Sequence, residues 1–391
     1  MKSTHLTKQN NRTVVIDIIR GFALLGVLFA NFNSFAEQQI PEPILNSISS
    51  STDKMFMCIN SLFLEWKFMS LFSILFGYGF GLILESLDRK KINPNLFFIK
   101  RMFWLFVLGI IHCLFWWGDV LHLYAISGVL LLLFRRQSNN VIIICGILFA
   151  FIVPVYINYL LRHLPETFTE ADIQKLYYQY KQGSIADVIR FNIDFYNRMF
   201  MVSGSNLHDI VETLGRFLIG YFLLRIQFFS NVESKKPVFI RVALISAPLM
   251  ISYFIVRILL LNNMISLNPY LKSLMLSLGI FATTTCYVST LIIVYNTLGL
   301  NLFFSALQSI GRMTLTNYLG VSAFLVVLLY GFGFNKLGEL PIHKMWLVAL
   351  IWLMIEITYS IYIYWLRVFR YGPMEWLWRQ LTYWKRMQLR I

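Results

Sequence analysis

The stretch Thr13–Phe35 reads TVVIDIIRGFALLGVLFANFNSF and decides the class of the protein. Its length suits a membrane-crossing helix, because about 20 apolar residues cover a hydrocarbon core of about 30 Å. Asp17, Arg20 and Asn31 interrupt it. Arg20 and Asn31 are eleven residues apart, about three turns, so they lie on nearly the same helix face. An ionisable group in a bilayer costs from about 3 to more than 10 kcal/mol, so such a stripe implies a protein interior or a wet cavity. The alternative is snorkelling. Arg20 lies about seven residues inside the run, roughly 10 Å at the helical rise, with Asp17 at i−3 as a partner.

The rest of the chain extends this reading. Of its 391 residues, 58% are hydrophobic, 17% aromatic and only 14% charged. Soluble domains carry about 25% charged residues, so this is an integral membrane protein. The net charge of +15 does not imply nucleic acid. The basic residues fall in short clusters between apolar runs (Arg89 to Lys91; Lys100 and Arg101; Arg135 and Arg136; Lys235, Lys236 and Arg241; and the end from Arg367 to Arg390), as the positive-inside rule produces. Cys58, Cys113, Cys145 and Cys286 form no CxxC pair, so neither a disulfide frame nor a redox site is expected. The basic amino terminus resembles a signal peptide in order, but the polar interruptions fit a retained helix.

The pattern predicts an all-α, polytopic helical bundle of about ten transmembrane helices, one domain over 1–391. The spans fall near 14–35, 56–86, 97–117, 119–134, 140–161, 208–229, 238–261, 271–298, 307–331 and 345–367. The fourth is short and either forms a half-span or belongs to a hairpin. Ten spans put every basic loop and both termini on one side, the cytoplasm, with 368–391 as a basic tail. Residues 162–207 form the extracytoplasmic loop. In it, Thr169 with Asp172 starts a helix EADIQKLYYQYKQ that Gly183 stops, and Ser184 with Asp187 starts an amphipathic helix IADVIRFNIDFYNRMF. That helix lies on the membrane surface or packs on the bundle.

Four clusters carry chemistry. The opening helix holds Arg20 and Asn31. The run GIIHCLFWWGDVLHLYAISG, residues 109–128, holds His112, Asp119 and His122. There a carboxylate can fix the tautomer of a histidine base; the structural alternative is a His112 bonded within the bundle and an Asp119 that caps the next helix. No HxxxH or HxxE spacing accompanies these histidines, so no metal centre is expected. The run FLEWKFMSLFSILFGYGFG, residues 63–81, carries Glu65 and Lys67, a binding pair or an interface pair, and glycines for close helix packing. In SIGRMTLTNYLGVS, residues 309–322, Arg312, Thr314, Thr316 and Asn317 enter a span. Arg216 and Glu356 are further buried ionisable residues, and Arg257 is expected to snorkel. Charges on five or more helices imply a polar cavity.

The segments IDIIRGFALLGVLFANFNSF, KFMSLFSILFGYGFG, GIIHCLFWWGDVLHLYAISG, SALQSIGRMTLTNYLGVS and GPMEWLWRQLTYW, in this order over nearly the whole chain, resemble the bacterial DUF418 family, the YeiB-like membrane proteins. That family looks like a distant branch of the transmembrane acyltransferases, which include the acyltransferase-3 enzymes and the heparan glucosaminide N-acetyltransferases. The resemblance implies about ten core helices in a bacterial plasma membrane and transfer of an acyl group from cytoplasmic acyl-CoA to an acceptor on the far side. In acyltransferase-3 enzymes an Arg of the first helix is followed about eleven residues later by a His; here the pair is Arg20 and Asn31. The heparan-type enzymes have Asn at that place and a catalytic His farther along. This chain has no His between His5 and His112, so the catalytic His of those relatives is not matched and His112 is left as the candidate base.

Two function classes follow, with a non-catalytic, lipid-binding or scaffolding role as a third. In an acyltransferase, His112 deprotonates the acceptor, Asp119 orients it and Asn31 polarises the acyl carbonyl. Arg20, Arg312 and Arg216 hold the phosphates of acyl-CoA, a co-substrate rather than a bound cofactor. Lys67, Glu65 and Asn317 are further donor- or substrate-binding candidates. The acceptor is an envelope glycan, a lipid or a small metabolite. In a transporter the same charges line a solute path, against which stands the absence of a repeat between the two halves. The lipid bilayer is the expected partner, and a homo-oligomer is compatible with the sequence.

Overall fold

Apolar residues at helical spacing fold the chain into helices that bury their polar positions against one another. The structure, a computed structural model, describes residues 2–163, 169–198, 205–359 and 365–391, with side chains other than those of 2–13, 36 and 205. The helices are α1 (Lys2–Glu37), α2 (Glu42–Ile48), α3 (Ser51–Ile59), α4 (Lys67–Arg89), α5 (Pro94–Cys113), α6 (Leu121–Leu131), α7 (Asn139–Ile147), α8 (Val153–Leu161) and α9 (Glu170–Gln182). They continue as α10 (Ile185–Asn197), α11 (Ser205–Arg225), α12 (Lys236–Leu261), α13 (Pro269–Leu298), α14 (Leu302–Arg312), α15 (Thr314–Leu329), α16 (Ile342–Ile357), α17 (Trp365–Val368) and α18 (Pro373–Tyr383).

Among the described residues, six helical stretches are long and apolar enough to cross a membrane, or seven if the bent pair α14 and α15 counts as one. This is a helical membrane protein. The expected fourth span is α6 with a 3₁₀ turn, Leu121–Phe134, about 21 Å and short of a crossing. Part of the expected tenth span, 360–364, lies outside the described residues. The expected ninth span is broken: α14 and α15 meet at 81°. Breaking a helix orphans the amide groups of the new amino terminus. Glu375, sixty residues away, accepts the N–H of Leu315 at 2.6 Å and of Thr316 at 3.1 Å. The break is therefore made with the C-terminal segment, and that segment is packed structure rather than a loose tail.

The second expected span is also divided. A π-helical turn at Asn60–Leu64 ends at Trp66, whose φ of 64° is left-handed, before α4 begins. This turn brings Glu65 and Lys67 inward, where they do not pair with each other. Lys67, 1% exposed, donates to the carbonyl of Ser61 at 2.5 Å. Glu65 accepts from Arg257 at 3.1 Å, and Arg257 also donates to Ser61 Oγ at 2.9 Å. Arg257 is thus tied to this divided span. In α4, Gly77 and Gly81 press against Phe217 and Leu224 of α11, whereas Gly79 faces Arg20.

In the expected loop, Thr169 with Asp172 and Ser184 with Asp187 form full capping boxes at the starts of α9 and α10. Residues 199 and 200 of the second expected helix lie outside the described residues. Tyr180 of α9 stacks on Tyr330 at 4.3 Å and donates to Asn192 of α10 at 2.5 Å, which donates in turn to the carbonyl of Leu114. The pair packs on the bundle. Arg198 ties it together by donating to Asp172 at 2.8 Å, and this hydrogen bond, the largest cause, holds the Asp172 carboxyl below its ordinary range. A depressed carboxyl stabilises the fold above its unfolded value, about 3.9, and loses that contribution as pH falls through the lower folded value. Asp172→Asn should therefore weaken the docking of α9, read as faster proteolysis between α9 and α10 at pH 7, with the difference from wild type shrinking as pH falls below the ordinary carboxylate range.

Candidate functional site

One cavity of about 950 Å³ runs through the bundle. Asp17 and Ser34 of the single helix α1 both line it, and seventeen residues at the helical rise give it a reach of about 25 Å along that helix. That is most of a hydrocarbon core. Of the residues singled out in the sequence, Asp17, Arg20, Asn31, Glu65, Asp119, His122, Arg216, Arg312 and Thr314 line it. Arg20 therefore faces a cavity, with Asp17 paired to it at 3.2 Å. Asn31 is buried beside it, and its Nδ2 has no hydrogen-bond partner among the described residues. Lys67 and Asn317 are buried but do not line the cavity. Arg216 lines it but is committed to Glu212 at 2.6 Å.

The chemistry centres on Asp119. The chain reverses between α5 and α6 through Leu114–Val120, and this turn carries Asp119 back against both helices. Its carboxylate, 3% exposed, accepts from two imidazoles: His112 Nδ1 to Oδ1 at 2.7 Å and His122 Nδ1 to Oδ2 at 2.9 Å. The backbone N–H of His122 donates to Oδ2 at 3.1 Å, so Asp119 also caps the first turn of α6. Both alternatives read from the sequence, orienting a histidine and capping a helix, are therefore met by one residue. A carboxylate only accepts, so both rings carry their proton on Nδ1 and present Nε2 as the basic nitrogen.

The two histidines are not equivalent. His122 lines the cavity and packs its ring 5.3 Å from that of Tyr196. His112 does not line the cavity; its ring lies between those of Trp116 and Tyr318, at 5.6 and 5.4 Å. The sequence leaves His112 as the candidate base because the catalytic His of the similar enzymes is not matched, and it carries no signal for which ring faces the space. Cys113 adds a thiol 3.6 Å from His122 Nδ1. Cys113, Asp119 and His122 thus form a cluster of metal-ligand types that sequence spacing did not predict. Beside the two imidazoles, the Tyr318 hydroxyl lies 3.5 Å from Asp119 Oδ1 as a further donor.

The opposite end of the cavity is basic. Besides Arg20 and Arg312, it is lined by Arg101 of α5 and by Arg370 and Arg379 of the C-terminal segment. Arg101 stacks on the Trp378 ring at 3.6 Å, while Trp378 Nε1 donates to the Arg101 carbonyl at 2.9 Å. Sequence reasoning counted these arginines as charges of cytoplasmic loops. The signal that marks Arg379 is the Trp-rich run that leads into it in GPMEWLWR, unlike a solvated tail.

Residues 223–385 match the family described as "Protein of unknown function (DUF418)". The chain is 26% identical to "Uncharacterized protein YxaH" of Bacillus subtilis (strain 168), covering 98% of this chain and 97% of that one. It is 27% identical to "Uncharacterized protein YeiB" of Escherichia coli (strain K12), covering 95% and 96%. A 39.9 kDa protein encoded in the amylase 3' region of Bacillus acidopullulyticus is 25% identical over 96% of this chain and 94% of its own.

Proposed function

From the match of residues 223–385 to the DUF418 family and the full-length similarity to YxaH and YeiB, we propose that this chain is an acyltransferase of the bacterial plasma membrane. The reading takes the amino and carboxyl termini as cytoplasmic and ten spans as the full count, supported by the one-sided placing of the basic loops. The donor is cytoplasmic acyl-CoA, entering at the arginine end with Arg20 and Arg312 on its phosphates. The acceptor is a hydroxyl or amine of an envelope glycan, a lipid or a small metabolite. The observation that carries the reading is the reach of a single cavity from a cluster of arginines to a histidine oriented by a buried carboxylate.

The step balances on these residues. The acceptor X–H gives its proton to His122 Nε2 and attacks the thioester carbonyl. Asn31 donates from Nδ2 to the oxygen as it gains charge. The tetrahedral intermediate collapses, the C–S bond breaks, and the thiolate of CoA takes the proton back from the imidazolium. Asp119 holds the His122 ring and stabilises its charged form, and His112 occupies the other carboxylate oxygen. His112 is here a positioning residue.

The test is release of free thiol from a panel of acyl-CoA thioesters by the purified, reconstituted protein. Wild type releases thiol, and His122→Gln slows it about a hundredfold or more, the contribution of general base catalysis. His112→Gln slows it less and shifts the pH profile. Folded wild-type protein inert to every thioester, or a His122→Gln variant at full rate, contradicts the proposal. A carrier reading draws on the same cavity length, and the two part on the fate of the donor.

A further inference from the structure

The proposed chemistry gives no role to the GPMEWLWRQLTYW stretch, although it carries charged residues on the cavity wall. Its structure supplies a role. α18 lies across the ends of α5 and α15, fixed by the Trp378 Nε1 bond to the Arg101 carbonyl and by Glu375. Thr316 secures it further: its Oγ1 donates to Glu375 at 2.5 Å and accepts the N–H of Met374 at 3.1 Å. So fixed, the segment places Arg370 and Arg379 on the cavity wall opposite Arg20 and Arg312 in sequence but at the same basic end.

Charge and geometry then identify what that end takes. Five guanidinium groups and two carboxylates, Asp17 and Glu375, line it, leaving three positive charges uncompensated among the described residues. Among the described residues, Arg20 alone of the five has a carboxylate within ion-pair distance. Arg101 and Arg379 are instead held by aromatic rings, Trp378 at 3.6 Å and Tyr371 at 4.4 Å. Stacking uses the face of a guanidinium and leaves its N–H edge for an oxyanion. A set of arginines pinned by their faces, with no acid on their edges, is preorganised for several phosphate oxygens at once.

We infer that the C-terminal segment Arg370–Arg379, with Arg101 and Arg312, is the phosphate clamp for a soluble organic polyphosphate carrying about three to four negative charges. The count matches a nucleotide diphosphate or the phosphates of CoA, and exceeds a single monoester. The inference rests on the proposed function only in taking that ligand to be the acyl donor. Arg216, paired with Glu212, has no part in it.

Titration calorimetry of the full-length protein in detergent, with CoA, ADP and inorganic pyrophosphate as probes, tests it. CoA and ADP bind and compete with each other, and pyrophosphate competes more weakly. Arg370→Gln/Arg379→Gln weakens CoA about ten- to a hundredfold at an unchanged thermal midpoint, the scale of lost charge-assisted bonds. Arg379→Lys, which keeps charge but loses the planar edge, recovers only part of that loss. If the double variant misfolds, the exposed Arg312→Gln carries the same prediction. Wild-type affinity in the folded double variant, or no binding of any probe by folded wild type, overturns the inference. So does displacement of CoA by phosphatidylglycerol micelles where ADP fails to displace it, which would assign the arginines to lipid headgroups. Should CoA bind as predicted and no thioester react, the acyltransferase reading fails and the clamp stands. His122→Gln, which leaves the clamp intact, binds CoA like wild type.

Discussion

Asp119→Asn is expected to lower the proposed acyl transfer by about a thousandfold or more in a protein that still folds. The reason lies in the bonds that the side chain makes. As a carboxylate it accepts from His112 and His122 at once. An amide offers one oxygen and one NH2, so only one ring can keep its Nδ1–H donated. The other must turn its tautomer, putting a proton on Nε2 and removing a base. Held by the helix cap from the His122 N–H, the amide oxygen stays on the His122 side, and charge stabilisation of the imidazolium is lost even there. The mismatch of one buried hydrogen bond costs about 1–3 kcal/mol of stability. Thermal denaturation in detergent alongside thiol release separates the two effects. Near-wild-type turnover by Asp119→Asn would reduce Asp119 to a cap.

Gly21→Ala and Gly311→Ala have the largest expected effect on folding. α1 and α14 meet with backbone against backbone: a Cβ on Gly21 would strike the Leu307 carbonyl, and one on Gly311 the Asp17 carbonyl and the Gly21 nitrogen. Neither obstacle is a flexible side chain, so the helices must separate, carrying Asp17, Arg20 and Arg312 with them. We expect each to cost about 3 kcal/mol or more, at the upper end for overpacking, and to lower the yield of folded protein. Gly320→Ala is the control. Its Cβ meets only the Trp352 ring at 3.7 Å, an ordinary contact, and alanine favours a helix interior by up to about 1 kcal/mol. A folded Gly311→Ala variant as stable as Gly320→Ala would show that α1 and α14 pack differently.

What could be read from the sequence was what local chemistry decides. The starts of α9 and α10 were legible because a capping box is complete within four residues. The polar stripe of α1 pointed to a cavity because an Arg and an Asn at eleven-residue spacing share a face. The break between α14 and α15 was not legible, because the group that caps it, Glu375, comes from another part of the chain. For the same reason Arg101, Arg370 and Arg379 read as loop charges until Trp378 and Tyr371 fixed them at the cavity wall. His112 and His122 both bond Asp119, and only tertiary structure sets His122 on the cavity.

The central claim is that the acyl group leaves its carrier inside the cavity. Proteoliposomes given acyl-CoA with one label on the acyl group and a second on the adenine test this most directly. The acyl label is expected to separate from the adenine label, at a rate dependent on Asp119, with the adenine label staying on the side of addition. Entry of both labels together into the vesicle would contradict it and make the cavity a solute path.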